Sequence, residues 1–241
     1  MKVQSFETVR RVVFGVGAVE TLPDEIKRAK GTRVLVVTDP GIKSAGVLDL
    51  VANVLARAKV DFSVFAEVEP DPKIEVALAA AEAAKAAGPD LIVGLGGGSS
   101  LDISKVTSVL TTNPGPVDKY FGMEMVPQAG VPLILIPTTA GTGSEMTSIC
   151  VLSDTKNNVK KGIVSEHMFA RTALLDPQLT LALPPKVTAM TGMDALVHAI
   201  ESYVGVRASV FTDTLNLQAI RLVAANLRLA YANGENRIAR E

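Results

Sequence analysis

The chain holds one cysteine, two histidines and no tryptophan among its 241 residues. A lone cysteine excludes an internal disulfide framework and is compatible with a reducing cytoplasm, the location expected for the protein. Cys150 itself stands in Ile149-Cys150-Val151-Leu152 and reads as a small buried hydrophobe. Aromatic residues make up only 4% of the chain, too few for a base-stacking surface. The formal net charge is −1, which gives no reason to expect nucleic acid or a membrane surface as a partner. No apolar run is long enough to span a bilayer, and Met1-Lys2-Val3-Gln4-Ser5-Phe6-Glu7 lacks a signal-peptide core. What is abundant is apolar: 48% of residues are hydrophobic, enough for one large core or two smaller ones.

The apolar residues come in an ordered pattern. Strand-like runs stand at 33–38, 61–66, 91–95 and 131–136. Helical spacing is read at 47–59, in an alanine-rich stretch from Asp71-Pro72 to Ala87, and at 101–110. Repeated strand–helix units of this length imply a parallel sheet covered by helices. Beyond Leu183-Pro184-Pro185 the pattern changes: helices are read at 186–190, 193–204 and 209–231, and no strand. The reading is therefore an α/β domain at 1–183, followed by the start of an all-helical domain at 184–241.

Two loops carry unusual chemistry. Gly96-Gly97-Gly98-Ser99-Ser100-Leu101-Asp102-Ile103-Ser104-Lys105 lies between a strand and a helix. Glycines there let a ligand approach the backbone, and the helix start offers free N–H groups and a positive dipole end to an anion such as a pyrophosphate. Pro137-Thr138-Thr139-Ala140-Gly141-Thr142-Gly143-Ser144-Glu145 also follows a strand and combines two glycines with four hydroxyls. Together the loops would line one crevice at the strand ends, although each alone could be a tight turn.

Asp39 follows a strand directly. Its carboxylate could bind a ribose diol and repel a ribose phosphate, or simply form the turn before Pro40-Gly41. Asp194 and His198 stand one helical turn apart, a spacing that lets a carboxylate and an imidazole share a divalent metal. The alternative is an Asp near a helix start and a His on a solvated face. On that helix Leu196, Val197, Ile200 and Val204 form an expected apolar stripe, and Glu201 extends the polar one.

These motifs, with Asp176-Pro177, Leu183-Pro184-Pro185 and Thr191-Gly192-Met193-Asp194-Ala195-Leu196-Val197-His198-Ala199-Ile200-Glu201-Ser202-Tyr203, occur in one order along the chain. The chain thereby resembles the iron-containing (group III) alcohol dehydrogenases. The resemblance implies a Rossmann-like NAD domain followed by a helical metal and substrate domain. It implies that Gly96, Gly97, Gly98, Ser99 and Asp102 serve the pyrophosphate loop and that Asp39 meets the adenosine ribose. Thr138, Thr139 and Thr142 would face the cofactor, with Lys160 near its nicotinamide-side ribose. Asp194 and His198 would be the first two ligands of Fe²⁺, or alternatively Zn²⁺.

The implied activity is NAD-dependent, metal-dependent interconversion of an alcohol with an aldehyde or ketone, in a homo-oligomer of two or more subunits. A zinc-dependent glycerol dehydrogenase-like enzyme and a non-catalytic nucleotide-binding fragment are the alternative readings. The second arises because the family uses four protein ligands, two of them histidines further along. This chain has only His167, which matches no ligand position, and His198. The chain stops at Glu241 in a charged helical segment with no capping glycine. The expectation is a piece of a longer protein, inactive by itself and prone to self-association through Leu215, Ile220, Leu222 and Leu227.

Overall fold

Runs rich in Val, Leu and Ile form strands here because both faces of the sheet they join are covered. The computed structural model describes residues 3–241. They form two compact units. One comprises Thr8–Pro137 and Ser144–Asp176; the other comprises residues 3–7, Thr138–Gly143 and Pro177–Glu241.

The first unit is α/β. In chain order it holds β1 (Val12–Phe14), α1 (Leu22–Ala29), β2 (Arg33–Val37), α2 (Pro40–Ser44), α3 (Val47–Arg57), β3 (Asp61–Phe65) and α4 (Ile74–Ala87). There follow β4 (Leu91–Gly96), α5 (Gly98–Thr112), β5 (Gly122–Met123), β6 (Leu133–Pro137), β7 (Ile149–Asp154), β8 (Val159–Val164) and β9 (Thr172–Leu175). Six strands make a wholly parallel sheet in the order β1-β9-β6-β4-β2-β3. A small second sheet has the order β5-β8-β7, with β7 and β8 antiparallel.

Strand β4 lies at the centre, in register with β2 at Val36↔Val93 and with β6 at Gly94↔Leu135. All six of its residues are buried, which is why it reads as an unbroken apolar run without alternation. Each Leu, Ile or Val so buried contributes about 1.5–3 kcal/mol relative to its exposed state. Helix α4 packs through Ala77, Ala80, Ala81 and Ala84, one face at helical spacing, and ends at Gly88 in the left-handed region. Edge strand β1 pairs with β9, and the chain around it is tied to the same region. Glu25 is buried against Arg11 and Thr172, and Val19 N donates to Asp176 Oδ2.

Some expectations shift. Asp39-Pro40-Gly41 is a helix start rather than a plain turn, because Asp39 caps the five-residue α2. The alanine helix begins at Ile74, and the chain before it forms a bridge from Lys73 to Ser153. Strands β1, β5, β7, β8 and β9 were not anticipated.

The second unit holds α6 (Pro185–Val204), α7 (Val210–Ala232) and α8 (Arg237–Arg240). Residues 186–190 and 193–204 are one continuous helix, not two. Gly192 does not break it but lets α7 come close: a Cβ there would lie 2.3 Å from Leu227 Cδ1. Helix α7 starts with a reciprocal capping box between Ser209 and Thr212. The buried positions of α6 are Thr188, Gly192 and Ala199, so small residues make its packed face. The expected stripe of Val197, Ile200 and Val204 is instead exposed. No helix among the described residues is long and apolar enough to cross a membrane.

Candidate cofactor site

The sheet order creates a crevice. After β2 the chain moves outward to β3; after β4 it moves the opposite way, to β6. Neighbouring strands whose onward connections diverge leave a gap beyond their carboxyl ends, and ligands of open α/β sheets bind there. The residues at this gap are Asp39, beyond β2, and the glycine loop beyond β4.

Asp39 is half-buried and held at both carboxylate oxygens. Oδ1 accepts from Ile42 N at 3.0 Å, capping α2, and Oδ2 accepts from Ser100 Oγ at 2.9 Å. Across the gap, Gly96 has φ +144°, a conformation open to glycine. A Cβ on Gly96 would meet Ser100 Oγ at 2.6 Å and Asp39 Oδ2 at 3.0 Å. Gly97 is the N-cap of α5 and offers no side-chain cap, so the first-turn N–H groups of this 15-residue helix lack a side-chain partner. Gly97, Gly98 and Ser99 are half-buried. An uncapped helix start beside a fixed carboxylate fits a dinucleotide: the anion meets the dipole's positive end and the diol meets the acid.

One turn further along α5 lies a buried polar cluster. Lys105 is fully buried, and its Nζ donates to Ser144 Oγ at 2.9 Å, Thr147 Oγ1 at 3.1 Å and the Ile149 carbonyl at 2.7 Å. Asp102 Oδ1 lies 3.8 Å from that ammonium. Both Asp102 oxygens also accept hydrogen bonds, from Ser144 Oγ at 2.6 Å and Val151 N at 2.9 Å. Burial pushes the Asp102 carboxyl up and the Lys105 ammonium down, and each charge opposes the other's shift. Burial likewise raises Glu145 and the fully buried Cys150 thiol, which leaves Cys150 an unreactive apolar filler. Asp102 was expected to serve the cofactor; its carboxylate is engaged by protein groups that join α5 to β7.

The remaining expected residues stand on other segments of the chain. Lys160, on β8, is exposed and pairs with Asp71 at 2.5 Å. In the second unit Thr138 is buried with no partner for its hydroxyl among the described residues, Thr139 is half-buried and Thr142 is exposed. A Cβ on neighbouring Gly141 would lie 2.7 Å from the Thr191 carbonyl oxygen. On α6, His198 Nε2 and Asp194 Oδ1 stand 3.6 Å apart, each about half-exposed. The pair suits a divalent metal in donor type and spacing. Among the described residues, no three His, Cys, Asp or Glu side chains gather into a metal-holding group. Ser100 stands in the glycine-rich loop, but its bond to Asp39 was not anticipated.

Comparison with known proteins agrees with this arrangement. The sequence profile described as iron-containing alcohol dehydrogenase matches residues 9–177, and the C-terminal profile of the same family matches 188–241. The sulfoacetaldehyde reductase of Bilophila wadsworthia is 51% identical over 234 residues, which cover 97% of this chain and 60% of that protein. Long-chain-alcohol dehydrogenase 1 of Geobacillus thermodenitrificans is 42% identical, covering 97% of this chain and 61% of that protein. The crystal structure of a 1,3-propanediol oxidoreductase superposes with a TM-score of 0.96 at 36% identity, over all of this chain and 63% of that one. A sulfoacetaldehyde reductase from Bifidobacterium kashiwanohense, crystallised with NAD⁺, gives a TM-score of 0.91 at 30% identity, over all of this chain and 64% of that one. The chain thus spans about 60% of the length of the curated relatives it matches. With both profiles matched in order and the strand-end crevice in place, the chain belongs to the iron-containing alcohol dehydrogenase family.

Proposed function

We propose that the chain binds NAD and serves a divalent-metal-dependent alcohol dehydrogenase that interconverts an alcohol with an aldehyde or ketone by hydride transfer. The observation that carries the reading is the crevice between β2 and β4, with the uncapped start of α5 on one side and the doubly anchored Asp39 on the other. In this reading Gly96, Gly97, Gly98 and Ser99 hold the pyrophosphate, and Asp39 binds the adenosine ribose. Asp102 supports the loop from behind. Thr138, Thr139 and Thr142 face the cofactor and Lys160 lies near the second ribose; for these four the support is the family resemblance. Bound NAD supplies the hydride acceptor, and the protein's part is to hold and orient it.

Asp194 and His198 are proposed as two of the metal's ligands, Fe²⁺ or alternatively Zn²⁺. Two protein ligands leave most of a coordination sphere to water, so no step is assigned to the metal here. The 241-residue chain is expected to lose Fe²⁺ and Zn²⁺ to a chelator during desalting. Stoichiometric metal retained through that treatment, measured by elemental analysis, would show ligands beyond this pair. The relatives' names span sulfonated, long-chain and diol substrates, which share the hydroxyl- or carbonyl-bearing carbon at which hydride transfer takes place.

Gly97→Val tests the cofactor assignment. A branched side chain at the N-cap occupies the space where the phosphate approaches the helix start. The expected result, by calorimetric titration of the full chain with NAD⁺, is an affinity loss of about tenfold or more, matching one lost charge-assisted hydrogen bond or greater. Unchanged affinity would remove the pyrophosphate from this loop.

A further inference from the structure

The position of Ser100 has a meaning for cofactor choice, and that meaning rests on the NAD reading above. Ser100 is fully buried in the first turn of α5, where a serine hydroxyl commonly bonds its own helix backbone. Its Oγ instead reaches across the gap to Asp39 Oδ2, a residue 61 positions earlier in the chain. Asp39 has one other anchor, the Ile42 N–H on Oδ1. With that bond alone, the carboxylate could turn about its own side-chain bonds while keeping one oxygen on the α2 cap. The Ser100 bond removes that freedom. Gly96 closes the remaining side, since even a Cβ there would crowd both groups.

The geometry points to Ser100 as a positioning residue for cofactor selectivity: by fixing the Asp39 carboxylate, it sets the preference for NAD over NADP. A fixed carboxylate is preorganised to accept from a ribose diol. It also cannot swing away from a 2′-phosphate, so the like-charge clash against NADP persists. The same hydroxyl links the phosphate-binding helix to the ribose-reading strand end, so the two halves of the adenosine site are set by one contact.

The test compares the wild-type chain, Ser100→Ala, Asp39→Gly and the double variant, by titration with NAD⁺ and with NADP⁺, with melting temperature as the folding control. The informative quantity is the ratio of the two dissociation constants, because a merely structural loss weakens both cofactors alike. Ser100→Ala is expected to shift the ratio toward NADP by about threefold to tenfold, the range of one ordinary hydrogen bond, because the Ile42 N–H still holds the other carboxylate oxygen. In the Asp39→Gly background the same substitution should leave the ratio unchanged. If Asp39→Gly moves the ratio and Ser100→Ala does not, or weakens both cofactors equally, the positioning role is overturned and the NAD reading stands. If Asp39→Gly leaves the ratio unmoved, Asp39 does not meet the ribose, and both the ribose assignment and the inference fall together.

Discussion

Lys105→Met is expected to destabilise the α/β unit by about 3–5 kcal/mol, the usual loss when one partner of a buried ion pair is removed. Methionine can fill the space of the lysine stem, but it cannot replace three hydrogen bonds from a fully buried ammonium. Ser144, Thr147 and the Ile149 carbonyl lose their donor, and Asp102 loses its counter-charge while remaining largely buried. For a chain of this size the loss corresponds to a fall of about 6–20 °C in melting temperature. Denaturant titration followed by far-UV circular dichroism measures it directly. The double variant Lys105→Met/Asp102→Leu should lose less than the sum of its single changes, because replacing a whole buried pair by apolar groups can be close to neutral. A single-variant loss below about 1 kcal/mol would mean that the buried ammonium contributes far less than a buried ion pair normally does.

The second large effect concerns association. Helices α6 and α7 expose Val204 at 73%, Val210 at 75%, Phe211 at 60% and Leu215 at 59%. On α6 the packed face is made of small residues, Gly192 and Ala199 with Thr188, and Gly192 faces Leu227 of α7. A helix that is apolar on several faces is normally covered on several faces. Each such side chain gains about 1.5–3 kcal/mol on full burial, so a few buried together outweigh a good part of the cost of association. The 241-residue chain is therefore expected to elute from gel filtration as dimers or larger species at micromolar concentration. Val210→Lys with Leu215→Lys should shift it toward monomer without lowering the melting temperature of the α/β unit. A wild-type chain that stays monomeric at high concentration would refute this.

The parts of this fold that show in the sequence are those whose stabilisation is local or two-sided. β2, β4 and β6 are buried in the sheet centre and so appear as unbroken apolar runs bounded by turn residues. β8 contains Lys160, Lys161 and Gly162 in the middle of its run, which resembles a loop; it is a strand because β7 pairs with it over six residues. β1 has three residues and owes its existence to β9. Gly192 signals a helix end by propensity, yet tertiary packing against Leu227 keeps it inside a 20-residue helix. The candidate cofactor site divides in the same way. The glycine loop and the strand-end acid are local patterns and could be read directly. Ser100 could not, since its significance lies in a partner 61 residues away. The roles of Asp102 and Lys105 likewise depend on Ser144 and on the edge of β7, which no spacing within their own helix reveals.

The pairing of β1 with β9 also has a consequence for synthesis. Val12 meets Ala173, Val19 N meets Asp176 and Glu25 meets Thr172, so these three contacts form only when the last strand of the sheet has left the ribosome. At about 5–20 residues per second, the intervening stretch of roughly 160 residues takes on the order of 8–30 s to make. During that interval β2, β3, β4 and β6 can assemble on nearest neighbours and α1 can settle beside α3, while β1 waits for the strand it pairs with. The first strand of this sheet to be made is thus among the last to be placed.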